Sequence, residues 1–175
     1  MARPSPATPT LPQWQRTETL VQTWLKERQQ LLALLCALPD MNDANIENNP
    51  ALHAHIQSLC QTLMDYISAG YFEIYRELAV EARSLKRDNP GWLREMLQRL
   101  EDSTDAALAF NEHVDQATRR QCTLTALPEK LAGLLEKLEE RFVLEDQLII
   151  SFHLQGNEAS GCPPVTHSYN PPMLP

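Results

Sequence analysis

Apolar side chains recur at intervals of three and four residues in four separate segments of this chain. This spacing constrains the fold more than any other feature, because it places side chains on one face of an α-helix. No segment alternates with period two for long enough to predict a strand. The four segments run from about Trp14 to Leu38, from Pro50 to about Lys86, from Pro90 onward, and from about Leu127 to Leu154.

Two of these segments begin with the same pair of residues, an asparagine followed by a proline. An asparagine side chain can accept hydrogen bonds from the free N–H groups of a first helical turn, and proline is tolerated there. Asn49 and Asn89 are therefore predicted N-caps, with Pro50 and Pro90 as the first helical residues. Pro39 ends the first segment, and a polar loop follows it.

Four amphipathic helices joined by short loops predict an all-α fold, an antiparallel four-helix bundle. We assign the bundle domain to residues 14–154. Residues 1–13 and 155–175 are rich in proline and small polar residues. These two tails have too little apolar surface to offset the entropy of ordering, so we expect both to be disordered.

The second helix raises a question about continuity, because it would hold roughly 37 residues at about 1.5 Å each. Gly70 lies inside it. Gly70 could end the helix in the left-handed conformation, or it could let another helix approach closely. The apolar positions before and after it, such as Leu63 and Ile74, keep one phase. That phase favours a continuous or mildly kinked helix.

The face of the second helix opposite its apolar stripe carries one aromatic ring. At 100° per residue, Asp65, Phe72 and Arg76 project together, with Ser68 beside them. Single exposed apolar residues are common on soluble proteins. The alternative is an interface anchor, since a ring rimmed by polar groups is typical of binding hot spots. We take these four residues as the candidate partner-binding set.

Two charged residues lie within apolar stripes. Arg28 lies between Trp24 and Leu31, and Glu145 lies between Phe142 and Ile149. A lone buried charge is strongly unfavourable. We therefore expect Arg28 and Glu145 to form a buried structural pair, unless each lies near a bundle end and reaches water.

The composition excludes several classes of protein. A net charge of −8 over 175 residues argues against nucleic-acid binding and suits a basic protein partner. No apolar run reaches the roughly 20 residues that span a bilayer. The N-terminus lacks the apolar core of a signal peptide, so we expect a cytoplasmic protein.

No catalytic or metal-binding pattern stands out. The four cysteines are widely spaced, and the nearest approach to a zinc cluster is His53, His55 and Cys60. His113 projects outward from the third helix without the basic or glycine neighbours of a phosphotransfer histidine. We therefore predict no enzyme activity, no metal and no cofactor.

Three stretches resemble the Rsd/AlgQ family of bacterial anti-sigma factors. They are "WLKERQQLL" (Trp24–Leu32), "LCQTLMDYISAGYFEIY" (Leu59–Tyr75) and "LEERFVLEDQLI" (Leu138–Ile149). The resemblance covers about residues 18–153, and its most specific parts are "DYISAGYF" and "RFVLEDQLI".

The resemblance implies a helical bundle that binds the C-terminal, promoter-reading domain of the primary, sigma-70-type sigma factor. Family members withdraw that sigma factor from core RNA polymerase, typically in stationary phase. The Asp and Phe of the "DY-x-SAG-x-F" motif belong to the sigma-facing surface, and they correspond to Asp65 and Phe72. The alternative is a helical-bundle adaptor that binds a different signalling or carrier protein.

Overall fold

The computed structural model describes residues 12–38, 49–86, 88–120 and 126–154, and within these ranges the chain is helical and contains no strand. Five α-helices and two π-helical segments follow in order. They are α1 (Gln13–Cys36), α2 (Pro50–Ala69), a π segment (Gly70–Ile74), α3 (Tyr75–Ser84), α4 (Pro90–Arg120), α5 (Leu127–Ile149) and a C-terminal π segment (Ile150–Leu154). Residues 1–11 and 155–175 of the predicted tails lie outside the described residues.

The helix starts agree with the two predicted caps. The side-chain oxygen of Asn49 accepts hydrogen bonds from the N–H groups of Ala51 and Leu52 at 3.1 and 3.2 Å. Asn89 accepts one from Trp92 at 3.1 Å. Each bond satisfies a backbone donor that the first helical turn leaves free.

α2, the π segment and α3 form one continuous helical rod. Gly70 has φ −53° and ψ −53°, which is right-handed helical geometry, so it does not end the helix. The left-handed residue lies at the far end of the rod, at Lys86 with φ 56°. The sequence pattern gave no indication of the π segment, which uses a wider hydrogen-bonded turn than the α-helix.

Gly70 is required by the close approach of α1. A Cβ atom at Gly70 would lie 2.9 Å from Cζ2 of Trp24 and 3.1 Å from Oη of Tyr75. The Trp24 indole N–H also donates to the carbonyl oxygen of Tyr66 at 3.0 Å. The start of the π segment is therefore packed directly against α1.

The core lies between an α4–α5 pair and the set formed by α1, α2 and α3, with α2 contacting α4. Two leucines of α4 and α5 are nevertheless on the surface: Leu108 is 48% exposed and Leu135 is 39% exposed. The buried rows of α4 and α5 pass through Phe110 and Arg141. Leu108 and Leu135 lie next to these buried rows, on the solvent-facing side of their helices.

We expect Gly70→Ala to destabilise the protein by about 1–3 kcal/mol, because the added methyl group overpacks the contact with Trp24. The matched control is Gly133→Ala in α5, where nothing lies within 4 Å of an added Cβ. That change should stabilise by roughly 0.5–1 kcal/mol, the usual gain of alanine over glycine in a helix. Urea unfolding of both variants measures whether each change raises or lowers the free energy of unfolding. An equal gain of stability in Gly70→Ala and Gly133→Ala would contradict this expectation, because it would show that Trp24 moves aside freely.

Candidate functional site

A single carboxylate lies at the centre of the core. Glu145 in α5 is 0% exposed. Its Oε2 accepts hydrogen bonds from Arg28 Nη2 at 3.0 Å and from the hydroxyl of Tyr66. Its Oε1 accepts from the hydroxyl of Tyr75 and from Arg141 Nε, both at 2.7 Å. Four donors from four helices therefore satisfy one buried charge.

Arg28 forms one side of this network. Its Nε donates to the Tyr66 hydroxyl at 2.9 Å, and its Nη1 donates to Asp146 at 2.5 Å. The guanidinium also lies over the rings of Trp24 and Phe142, 5.7 and 5.0 Å from their centroids. The faces of the two rings attract the positive charge of the guanidinium electrostatically.

Arg141 forms the other side and reaches α4. Its Nη1 donates to the hydroxyls of Ser103 and Thr104, both at 3.0 Å, and its Nη2 donates to the Tyr75 hydroxyl at 2.9 Å. Arg141 is itself 0% exposed. The predicted pair of Arg28 and Glu145 is thus part of a larger cluster of two guanidinium groups and two carboxylates.

The ionisation of this cluster follows from its geometry. Burial lowers the pKa of each guanidinium, but the charge of Glu145 and the other partners outweigh burial, and the net shift is upward. Burial and the charge of Glu145 both raise the pKa of the Tyr66 and Tyr75 hydroxyls. The phenols therefore stay neutral and act as donors to the carboxylate.

The π segment explains how both tyrosines reach one carboxylate. Tyr66 and Tyr75 are nine residues apart, which in an uninterrupted α-helix is about 180° of rotation at 3.6 residues per turn. The wider π turn between them reduces that angle. Both side chains are buried, at 0% and 4% exposure. The apolar positions before and after Gly70 were expected to keep the same helical phase. Tyr66 and Tyr75 were therefore not predicted to face the same carboxylate.

Arg141 had a sequence signal that could have identified it. It lies four residues before Glu145, so the two residues share one helix face and can form an ion pair. Ser103 and Thr104 had no comparable signal, because only the packing of α4 on α5 brings them to Arg141.

The four candidate partner-binding residues are all on the surface. Phe72 is 71% exposed, and Asp65, Ser68 and Arg76 are also exposed. Asp65 accepts hydrogen bonds from Gln61 at 2.9 and 3.1 Å. Phe72 has an aromatic neighbour that was not predicted, namely Tyr71.

The exposed Tyr71 and Phe72 rings lie in an acidic environment. Tyr71 is 50% exposed, and its ring centroid lies 5.8 Å from that of Phe72. The pKa of Glu27 in α1 is raised by its partial burial and by the negative charges of Asp65 and Glu73. The carboxylates of Asp65 and Glu73, on the same stretch of the rod as the two rings, thus lie close enough to Glu27 to repel its negative charge. We call Glu27, Asp65, Tyr71, Phe72 and Glu73 the aromatic–acidic face.

A second buried polar cluster holds the C-terminal π segment in place. His153 is 0% exposed. Its Nδ1 lies 2.8 Å from Glu81 in α3, and its Nε2 lies 2.5 Å from Glu18 in α1. Sequence reasoning missed this cluster, because Glu18 and His153 are 135 positions apart in the chain.

The other histidines of the described ranges show no grouping suited to a metal. Within the described ranges, no three His, Cys, Asp or Glu side chains form a metal-binding group. His55 contacts the carbonyl oxygen of Leu34 at 2.8 Å. His113 is partly buried, and its Nε2 forms no hydrogen bond with the described part of the chain. His113, which was expected to project outward from the third helix, is therefore partly covered.

The comparison with known proteins decides the family. Residues 7–153 match the family described as "Regulator of RNA polymerase sigma(70) subunit, Rsd/AlgQ". The chain belongs to the Rsd/AlgQ family. The resemblance of the three sequence stretches is thereby confirmed, and the family is one of transcription regulators.

Similar curated proteins carry the name "Regulator of sigma D". The protein from Yersinia enterocolitica is 25% identical over 130 residues, which cover 74% of this chain and 78% of the relative. The protein from Sodalis glossinidius is 29% identical over 130 residues, covering 74% and 85%. No solved structure matches this chain. Of the described helices, none is both long and apolar enough to cross a membrane.

Arg28→Met should lower the free energy of unfolding by roughly 3–5 kcal/mol, because it leaves a buried carboxylate short of a partner. A simple two-residue pair would allow rescue by the double change Arg28→Met with Glu145→Leu. The structure predicts no such rescue, since Arg141 would then lose its carboxylate. Urea unfolding of the single and double variants tests this. Recovery of most of the lost stability in the double variant would contradict the network.

The His153 cluster predicts a pH-dependent stability. Burial lowers the pKa of His153, but the hydrogen bonds and charges of Glu81 and Glu18 outweigh it, and the net shift is upward. The stabilisation is therefore complete below the ordinary histidine pKa of about 6.5 and is lost as pH rises through the raised value.

Urea midpoints measured from about pH 6 to about pH 9, on either side of the ordinary histidine pKa, check this expectation. The wild-type protein should lose stability over that range more steeply than His153→Gln. Equal slopes would assign the pH dependence to other groups.

Proposed function

We propose that this protein is an anti-sigma factor that binds the C-terminal, promoter-reading domain of the primary, sigma-70-type sigma factor. By holding that domain, it keeps the sigma factor from core RNA polymerase in stationary phase and favours alternative sigma factors. The family match supports a role in sigma regulation. The observation that carries the binding proposal is the 71% exposure of Phe72 on a stretch that also exposes Asp65 and Glu73.

The charge of this protein favours such a partner. A DNA-reading domain is basic, because it must neutralise phosphates. This chain has a net charge of −8, and on the aromatic–acidic face Glu27 lies near the carboxylates of Asp65 and Glu73. Complementary charge speeds encounter and selects against acidic partners.

The proposed contact set is Asp65, Ser68, Phe72 and Arg76. All four side chains are exposed on one stretch of the α2–α3 rod. An aromatic ring surrounded by polar groups is the usual form of a binding hot spot. Phe72 is therefore the main anchor, and Asp65 supplies a carboxylate for a basic residue of the sigma domain.

We also propose that the helices form an antiparallel bundle. Two ion pairs between α4 and α5 support opposite chain directions: Arg99 pairs with Glu140 at 3.3 Å, and Asp102 pairs with Lys137 at 3.7 Å. From the first pair to the second, the residue number increases in α4 and decreases in α5, as expected for two helices that run in opposite directions. We further propose that the protein acts in the cytoplasm and without catalysis.

Phe72→Ala should weaken binding to the purified C-terminal domain of a primary sigma factor by about 2 kcal/mol or more, or roughly thirtyfold. Its melting temperature should stay nearly unchanged, because the ring makes no core contact. Isothermal titration calorimetry and thermal unfolding measure the two quantities. Unaltered affinity of a folded Phe72→Ala protein would contradict the proposed face.

Ile74→Ala is the control from the same segment. Ile74 is 2% exposed, so this change should lower stability by roughly 2–5 kcal/mol and leave the affinity of the folded molecules intact. Asp65→Ala should weaken binding in the same direction as Phe72→Ala. Because screening weakens charge pairs, the affinity lost with Asp65→Ala should shrink as salt is raised.

A further inference from the structure

We propose that Tyr71 is a second aromatic contact for the partner and that the buried Tyr75 positions it. This inference rests on the proposed function, since it names side chains within the same face. Neither residue was part of the predicted contact set. The geometry that carries the inference is a row of three aromatic rings running from the core to the surface.

The row begins at the buried network. The hydroxyl of Tyr75 donates to Glu145 at 2.7 Å and accepts from Arg141 at 2.9 Å. The Tyr75 ring then meets the Tyr71 ring edge-on, with centroids 6.3 Å apart. Tyr71 meets Phe72 edge-on at 5.8 Å. Both separations lie in the range where edge-to-face pairs attract.

Exposure rises along this row. Tyr75 is 4% exposed, Tyr71 is 50% exposed and Phe72 is 71% exposed. A ring that is half buried against a fixed neighbour has little freedom to turn. Tyr71 is therefore held in one orientation by Tyr75, and it supports Phe72 from the side.

The π segment is what makes this arrangement possible. Its wider turn lets Tyr75 face Glu145 while Tyr71 and Phe72 remain outside. The absence of a side chain at Gly70 leaves space for the Tyr75 hydroxyl and the Trp24 ring. The buried network thus determines the direction in which the two exposed rings point.

The chemistry of the face indicates which side chain it receives. Two exposed rings on a stretch that also exposes the carboxylates of Asp65 and Glu73 suit a cation that lies on an aromatic face and pairs with a carboxylate. Arginine meets both requirements better than lysine, because its guanidinium is planar. We infer that an arginine of the basic sigma domain lies against Tyr71 and Phe72.

The structure offers a matched pair of variants that tests the positioning role. Tyr75→Phe and Tyr66→Phe each remove one hydroxyl donor from the same carboxylate. Only the Tyr75 ring contacts Tyr71, whereas the Tyr66 ring packs on Trp24 and Phe142. Both variants should lose stability, but only Tyr75→Phe should alter the exposed rings.

Two measurements on the full-length variants decide the matter. Amide hydrogen exchange of residues 71–75 should be faster in Tyr75→Phe than in Tyr66→Phe. Affinity for the purified C-terminal sigma domain should fall about two- to tenfold in Tyr75→Phe, the effect of re-ordering one or two side chains on binding. Tyr66→Phe should bind as the wild type does.

The contact role of Tyr71 is tested by truncation. Tyr71→Ala should weaken binding by roughly tenfold or more, the level of a significant interface residue, and Tyr71→Phe should restore it because the ring is kept. Unchanged affinity in Tyr71→Ala, together with weaker binding in Phe72→Ala, would overturn this inference and leave the proposed function standing.

Other outcomes separate the two proposals further. Equal loss of affinity in Tyr75→Phe and Tyr66→Phe would overturn the positioning role, since it would reflect stability alone. Failure of the wild-type protein to bind the sigma domain would overturn the proposed function and the arginine contact together. The exchange comparison would then still support or overturn the ordering of residues 71–75 by Tyr75.

Discussion

The buried charge of Glu145 determines how the surrounding helices pack. A carboxylate without access to water is tolerated only when donors surround it. The donors come from Arg28 in α1, Tyr66 in α2, Tyr75 in α3 and Arg141 in α5. Arg141 extends the network to α4 through hydroxyl groups. One polar cluster therefore fixes how all five helices meet.

The same constraint shapes the surface. Both tyrosines of the α2–α3 rod can reach Glu145 only because a π turn lies between them. The residues on the outside of that turn include the exposed rings of Tyr71 and Phe72 and the exposed carboxylate of Glu73. The proposed partner face is thus the outer side of a segment whose inner side completes the core.

The helices, their caps and the placement of Arg28 and Glu145 in apolar stripes could be predicted, because they depend on local spacing. The π turn could not, since no local pattern marks a wider turn, and with it Tyr66 and Tyr75 were missed. The contact of His153 with Glu18 depends wholly on tertiary packing. Arg141 was within reach of sequence reasoning through its four-residue spacing from Glu145. The role of Asp65, Ser68, Phe72 and Arg76 in binding stays a prediction.

We propose that the face supported by the buried network meets the sigma factor. The most direct measurement is an NMR titration of the isotope-labelled protein with the unlabelled C-terminal domain of a primary sigma factor. We expect the largest amide shifts at residues 65–76 and at Glu27, with little change along the outer surface of α4 around Leu108. Shifts concentrated on α4 and α5, with residues 65–76 unaffected, would contradict this proposal.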